Sequence, residues 1–259
     1  MELVVLGSGG GWARPGGAAC GYLVRHGDFN LWVDLGTGTM ANIQRHIGLG
    51  DVHAVAVSHR HFDHFLDLYP FYLAEWYTAE REPIPLFVPP EMFEHAAQLE
   101  PDLRQGFDVA VVTPGETFEA GPIVVRTARM NHPVPTLGMR FEADGAVLVY
   151  SADTGPCQEL IDLATGAQVL LSEATWIDRP EWAEEIHLTA TQAGDHAARA
   201  QAGHLVLTHI WPSYDVAVSQ ERASQSFGAP VQIAKEHMRI LIDGSDVQIV
   251  EAAPMSEAR

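Results

Sequence analysis

Residues 54–64 have the sequence AVAVSHRHFDH, in which an apolar run leads directly into four side chains of the kind that bind metal ions. These four are His59, His61, Asp63 and His64. Imidazole nitrogen and carboxylate oxygen together suit zinc and its neighbours iron, manganese and cobalt. Alternate residues of an extended backbone lie on one side, so His59 and His61 can bind one ion. Asp63 and His64 come slightly later and can bind a second ion.

The rest of the chain predicts strands that dominate early and return late, with helices between them. The predicted strands are residues 3–6, 21–25, 30–33, 53–57, 123–129, 138–142, 146–150, 168–171, 204–208, 231–233 and 239–242. The predicted helices are residues 40–46, 66–79, 189–201 and 216–225, with Thr189 as an N-cap and the regular part of the second helix starting near Pro70. Ala143, Asp144 and Gly145 indicate a hairpin turn. We therefore expect one domain, residues 1–259, built as two sheets with helices outside.

The composition argues against several partners. Fifteen basic and 34 acidic residues give a formal charge of -19, which disfavours tRNA and DNA because their affinity depends on phosphate neutralisation. No apolar run approaches the roughly 20 residues of a membrane span, and the first residues do not resemble a secretory signal. We expect a cytoplasmic protein with no membrane partner. Cys20 and Cys157 are expected to be small, buried and reduced side chains outside any metal site.

The histidine-rich stretch resembles the H-x-H-x-D-H signature of the metallo-β-lactamase superfamily. Other residues resemble the rest of that family's pattern in order along nearly the whole chain, namely Asp34, His132, Asp153 and His209. The resemblance implies an α/β protein with the metallo-β-lactamase fold, a four-layer αββα sandwich. It also implies a homodimer.

The same resemblance implies a two-metal site. His59, His61 and His132 would bind one ion, whereas Asp63, His64 and His209 would bind the other. Asp153 would bridge the two ions, and Asp34 would brace the loop that carries the ligands. The expected cofactors are two divalent ions, with zinc favoured and manganese or iron as alternatives. Asp63 would also orient a hydroxide held between the ions.

Two further stretches resemble ribonuclease Z. Residues 172–176 resemble its His-Glu-Ala-Thr loop, with Ser172 in place of the histidine, and residues 187–189 resemble its His-x-Thr element. By this resemblance Glu173 pairs with His187, and His187 protonates the leaving oxygen. A carboxylate neighbour raises the pKa of an imidazole, as a general acid near neutral pH requires.

The chain also departs from the tRNA-processing enzymes. Only residues 133–152 separate His132 from Asp153, which leaves no room for the protruding tRNA-binding arm of the long-armed type. The amino-terminal loop, residues 13–20, retains a single basic residue, Arg14. What remains resembles the smaller armless relatives that cleave cyclic nucleotides and other small phosphodiesters.

Four functions therefore stand as hypotheses. The favoured one is a phosphodiesterase that acts on small phosphodiesters through a metal-bridged hydroxide. A carboxylic ester or lactone hydrolase would use the same ions with less need for an acid, and ribonuclease Z-type RNA processing is a further alternative. A non-catalytic metal protein is disfavoured because no ligand position is missing.

The aromatic segment of residues 65–77 could line the substrate pocket, with Tyr72 or Trp76 stacking on a base, or form a helix packed on the sheet or a dimer surface. Trp211 and Tyr214 are expected near the mouth of the site.

Overall fold

A computed structural model describes residues 1–78 and 82–251 of the chain. Its strands are β1 (Glu2–Gly7), β2 (Gly21–His26), β3 (Phe29–Leu35), β4 (Ala54–Ala56), β5 (Ile84–Val88), β6 (Phe107–Val111), β7 (Thr117–Ala120), β8 (Ile123–Arg129), β9 (Leu137–Ala143), β10 (Ala146–Tyr150), β11 (Val169–Glu173), β12 (His204–Thr208), β13 (Gln232–Ile233), β14 (Arg239–Asp243) and β15 (Asp246–Val250). Its α-helices are α1 (Thr39–Ile43), α2 (Phe62–Phe65), α3 (Leu68–Thr78), α4 (Met92–Ala97), α5 (Gln158–Ala164), α6 (Ala190–Arg199) and α7 (Val216–Phe227).

Within these residues the strands form two sheets. The first has the order β15-β14-β1-β2-β3-β4-β5-β6, and the second has the order β13-β12-β11-β10-β9-β8-β7. Strands β3 to β6 run parallel, as do β10 to β13. The carboxyl ends of neighbouring parallel strands lie at the same edge of a sheet, so the loops after them are brought together.

Three apolar cores separate four layers. Alternate residues of β3 face opposite sides, so that Leu31 and Val33 pack between the sheets while Trp32 packs against the helices. On β12, Val206 lies in the core between the sheets and Leu205 lies in the core under the helices of the second sheet. The chain is therefore an α/β sandwich of two sheets with flanking helices, which confirms the predicted fold class.

Local signals in the sequence placed several elements correctly. Strands β8, β10 and β12 have the predicted bounds. The turn between β9 and β10 places both Asp144 and Gly145 at positive φ, 48° and 79°, as a two-residue hairpin loop requires. The Thr189 side chain accepts a hydrogen bond from the Gln192 backbone and caps α6. Helix α3 begins at Leu68, two residues before Pro70, and the predicted last residue Ala79 lies outside the described residues.

Other strands were missed because a proline or a weak apolar pattern obscures them. Strand β5 contains Pro85, which cannot donate a hydrogen bond to a ladder and argues against a strand in the sequence. Strands β6, β7 and β15 have several exposed residues, and β6, β7 and β15 lie at sheet edges. In the described part of the chain, no helix is long and apolar enough to cross a membrane.

One glycine beside β3 tests how tightly the sheet packs against the ligand loop. A Cβ at Gly36 would lie 2.1 Å from the carbonyl oxygen of Asp63 and 2.5 Å from that of Cys20. Both atoms belong to the backbone and cannot move aside easily. Gly36→Ala should therefore lower the free energy of unfolding by about 1–3 kcal/mol. A lower urea midpoint would show this. Gly48→Ala is the control, since its nearest contact would be the end of the Asp51 side chain at 3.1 Å. Equal midpoints for the two variants would contradict the expected crowding.

Candidate metal centre

Seven ligand-type side chains converge at the edge where the two sheets meet. They are His59, His61, Asp63, His64, His132, Asp153 and His209, all of them predicted from the sequence. Three residues at strand ends, Asp34, Ala152 and His209, have positive φ angles of 53°, 52° and 50°. This conformation is uncommon for residues other than glycine and tends to persist where function demands it. At Asp34 it coincides with a shift in the register between β2 and β3.

The first group of ligands contains three imidazoles. The Nδ1 of His61 lies 3.1 Å from the Nε2 of His59 and 3.1 Å from the Nε2 of His132. One ligand atom from each of these residues and from Asp153 lies within 4.8 Å of all the others. Such an arrangement brings several lone pairs onto one point, which is the geometry of a metal site.

The second group combines a carboxylate with two imidazoles. The Oδ2 of Asp63 lies 3.4 Å from the Nε2 of His64 and 3.2 Å from the Nε2 of His209. The carboxylate of Asp153 faces both groups. Its Oδ1 lies 3.3 Å from the Nε2 of His64 and of His209, whereas its Oδ2 lies 3.6 Å from the Nε2 of His59.

Two buried polar atoms of the cluster make no hydrogen bond among the described residues. They are the Nε2 of His64 and the Oδ1 of Asp153, which approach each other to 3.3 Å without hydrogen-bond geometry. A buried polar atom without a partner costs about 1–3 kcal/mol, so an ion between these atoms would remove a real penalty. The nitrogen and carboxylate donors present fit divalent transition ions.

The outer ring nitrogens of four histidines are held by the protein. The Nδ1 of His64 donates to Asp34, and the Nδ1 of His132 donates to the carbonyl of Ile186. The Nδ1 of His59 and the Nδ1 of His209 donate to two hydroxyl oxygens, those of Ser58 and Thr175 respectively. Each bond fixes the orientation of its ring and directs the Nε2 atom into the cluster.

The charge state of the first group also suits metal binding. Burial and then the neighbouring His132 lower the pKa of His61 to about 4. Burial likewise lowers the pKa of His59 and of His132 below the ordinary value. All three imidazoles are therefore neutral at pH 7, and only the neutral ring can ligate an ion.

A fully buried carboxylate, that of Asp34, braces the ligand loop. It accepts hydrogen bonds from the backbone N–H and the hydroxyl of Ser58, at 2.7 and 2.8 Å. It also accepts from His64 and from the phenol of Tyr150, each at 2.8 Å. Because Tyr150 ends β10, this one side chain joins the ligand loop of the first sheet to the second sheet.

A second buried carboxylate holds the remaining histidine of the site. The Oε1 of Glu173 accepts a hydrogen bond from the Nδ1 of His187 at 2.8 Å. Glu173 also accepts from the backbone N–H of Thr154 and from both the N–H and the hydroxyl of Thr175. Burial alone would lower the pKa of His187. The Glu173 carboxylate acts in the opposite direction, and the pKa rises above its ordinary value to about 9. His187 thus carries a proton at neutral pH beside the cluster.

The sequence did not identify every contact of the site. The role of Tyr150 arises only from its contact with Asp34 across the two sheets. Thr175 was marked only as part of the ribonuclease Z-like loop, and its contact with His209 is visible only in the structure. The backbone N–H of Gly11 donates to the Oδ2 of Asp63 at 2.9 Å, a contact that the sequence did not predict. Cys20 is buried as predicted, whereas Cys157 is only partly buried, which corrects that prediction. The Sγ of Cys20 lies within 4.8 Å of ligand atoms of His64 and His209.

The aromatic segment after the ligand loop divides into two parts. Phe65, Phe71 and Tyr72 are buried in the core between the first sheet and its helices. Trp76 and Tyr77 are exposed. Packing on the sheet therefore accounts for the first three rings, and Tyr72, which is 5% exposed, has little surface left for a base.

Comparison with known proteins agrees with this architecture. Residues 30–210 match the family model of the beta-lactamase superfamily domain. The chain is 35% identical over 246 residues to an uncharacterized protein of Mycobacterium leprae, covering 89% of this chain and 85% of that protein. It is 29% identical over 277 residues to a ribonuclease Z of Mycolicibacterium paratuberculosis, covering 94% and 99%.

A solved structure extends the comparison to three dimensions. The crystal structure of the metallo-beta-lactamase fold protein YhfI from Bacillus subtilis superposes with a TM-score of 0.85 at 26% identity. The superposition covers 92% of this chain and 97% of that one. The chain therefore belongs to the metallo-β-lactamase superfamily of metal-dependent hydrolases, in its ribonuclease Z-like branch.

Proposed function

We propose that this protein is a dinuclear-metal phosphodiesterase that acts on small phosphodiesters such as cyclic nucleotides. The observation that carries the proposal is the hydrogen bond between His187 and Glu173, 2.8 Å long, beside the ligand cluster. Cleavage of a phosphodiester expels an alkoxide, which is a strong base and needs a proton. A carboxylic ester or lactone hydrolase needs such an acid less.

The two oxygen atoms of the Asp153 carboxylate support two ion positions. His59, His61 and His132 would hold one ion with its Oδ2, and Asp63, His64 and His209 would hold the other with its Oδ1. The donor set suits zinc, with manganese or iron as alternatives. When bound, such a pair of ions acidifies a water held between them and neutralises charge on the phosphoryl oxygens.

The side chains of the protein would supply the remaining steps. Asp63, whose Oδ2 accepts from the Gly11 N–H, is held so that it can orient the attacking water. His187 keeps its Nδ1 on Glu173, which leaves Nε2 to deliver a proton to the departing oxygen. With a pKa of about 9, His187 is protonated at neutral pH and loses this proton as the pH rises through that value.

Processing of tRNA is a second candidate because one relative is named ribonuclease Z. The formal charge of -19 opposes it, and so does the direct connection of β9 to β10 through Asp144 and Gly145, where no arm is inserted. A small diester without a large phosphate backbone fits such a surface better.

Metal content tests the ligand assignment. Elemental analysis should find close to two transition ions per chain in the wild type. His61→Ala should lose most of one ion, and Asp153→Ala should lose most of both because its carboxylate faces both groups. His26→Ala, which removes a histidine that contacts Asp144 away from the cluster, should keep both ions. A wild-type protein that stays metal-free after incubation with zinc or manganese at pH 7 would overturn the assignment.

Kinetics with two leaving groups test the acid. His187→Ala should slow hydrolysis of a cyclic nucleotide by about 10²–10⁴-fold, since the alkoxide then leaves without a proton. The same variant should affect bis(p-nitrophenyl) phosphate much less, because p-nitrophenolate is stable as an anion. Metal content should not change. An equal loss on both substrates would show that His187 only positions the substrate, and no loss on either would favour the ester or lactone hydrolase.

A gel-shift and cleavage assay with pre-tRNA separates the two phosphodiester substrates. We expect no shift at physiological salt and no removal of the 3′ trailer, because the chain has few cations with which to bind phosphates. Efficient trailer removal at low enzyme concentration would make RNA processing the function.

A further inference from the structure

Four of the six tryptophans lie in one group on the His187 side of the metal centre. This tryptophan cluster consists of Trp12, Trp176, Trp182 and Trp211. Trp176 and Trp211 form an inner pair with ring centroids 4.3 Å apart. Trp12 meets Trp211 edge-on at 5.5 Å, and Trp182 meets Trp176 edge-on at 6.0 Å.

Backbone hydrogen bonds hold the inner pair next to the proposed acid His187 and the candidate ligand His209. The N–H of Trp176 donates to the carbonyl of Leu188, next to His187, and its ring lies 6.3 Å from the imidazole of His187. Trp211 follows His209 by two residues, and its N–H donates to the carbonyl of Thr175. The outer rings Trp12 and Trp182 each contact one ring of this inner pair, so a group that stacks on them lies next to the pair that borders the proposed acid.

A contribution to folding stability does not account well for the tryptophan cluster. Trp182 is 75% exposed and Trp12 is 48% exposed, although burial is where an indole contributes most. The indole N–H groups of Trp176 and Trp211 are buried with no acceptor among the described residues. Unpaired buried donors cost free energy, and departures of this kind concentrate at functional sites.

We propose that Trp12 and Trp182 form a stacking surface for the nucleobase of a nucleotide substrate. The inference deepens the proposed function and rests on it for the position of the phosphate. A nucleotide diester has a charged group, which belongs among the metal ligands, and one flat ring, which needs a π-face within reach of His187. Exposed indoles offer that face to any base, and stacking on an aromatic side chain contributes about 1–3 kcal/mol per base.

Calorimetric titration of the metal-loaded protein tests the surface without requiring turnover. The two probes are adenosine 5′-monophosphate and ribose 5-phosphate, which differ by the base. The variants Trp12→Ala and Trp182→Ala should weaken binding of the nucleotide by roughly 5- to 100-fold and leave ribose 5-phosphate unchanged. Trp76→Ala is the matched control, because Trp76 is 53% exposed on α3 and its ring contacts Tyr72 instead of the cluster.

Each contrary outcome has a distinct meaning. If the wild type binds both probes equally, or if the two variants weaken both probes alike, the stacking surface is refuted. A change in oligomeric state on gel filtration, with no selective loss of nucleotide binding, would make the cluster a contact between copies and would equally refute it. If base-dependent binding is present but no phosphodiester is hydrolysed, the proposed function fails while the stacking surface stands.

Discussion

The buried carboxylate of Asp34 is the constraint on which the candidate site depends. A charge removed from water is tolerated only when it is paired and hydrogen-bonded, and Asp34 has four such bonds. They come from Ser58 and His64 of the ligand loop and from Tyr150 of the second sheet. The position of the ligand loop is thus set by the packing of one sheet on the other. Loss of any one partner would leave a buried charge incompletely paired. Such a loss would therefore disturb both the packing of the sheets and the position of the candidate metal ligands.

The candidate metal ligands and the proposed proton donor are joined in a similar way. The hydroxyl of Thr175 donates to Glu173 at 2.7 Å and accepts from the Nδ1 of His209 at 2.8 Å. One side chain therefore orients a proposed ligand and the carboxylate that holds His187. A hydrolase needs its nucleophile and its acid at a fixed separation, and shared hydrogen bonds provide this at lower entropic cost than two independent loops.

The sequence predicted the parts of this arrangement that depend on local patterns. Strand β12 follows from its apolar run and the hairpin at Asp144 and Gly145 from turn chemistry. Four candidate ligands follow from a signature with fixed spacing, and the other three from the order of the family pattern along the chain. Tyr150 could not be found this way, because its partner Asp34 is distant in sequence and nothing in its own neighbourhood marks it. Thr175 lies in the ribonuclease Z-like loop, but its bond with His209 depends on the fold. Edge strands such as β6 were missed because half of their residues face solvent. Trp12 and Trp182 come from loops near opposite ends of the chain, and only the folded structure places them in one cluster.

The central claim is that Asp153 presents one carboxylate oxygen to each of two ions. Anomalous diffraction from a crystal of the zinc-loaded protein, recorded on both sides of the zinc absorption edge, tests it directly. Two anomalous peaks are expected, one beside Oδ1 with His64 and His209 and one beside Oδ2 with His59. A single peak, or two peaks of which one does not contact Asp153, would contradict it.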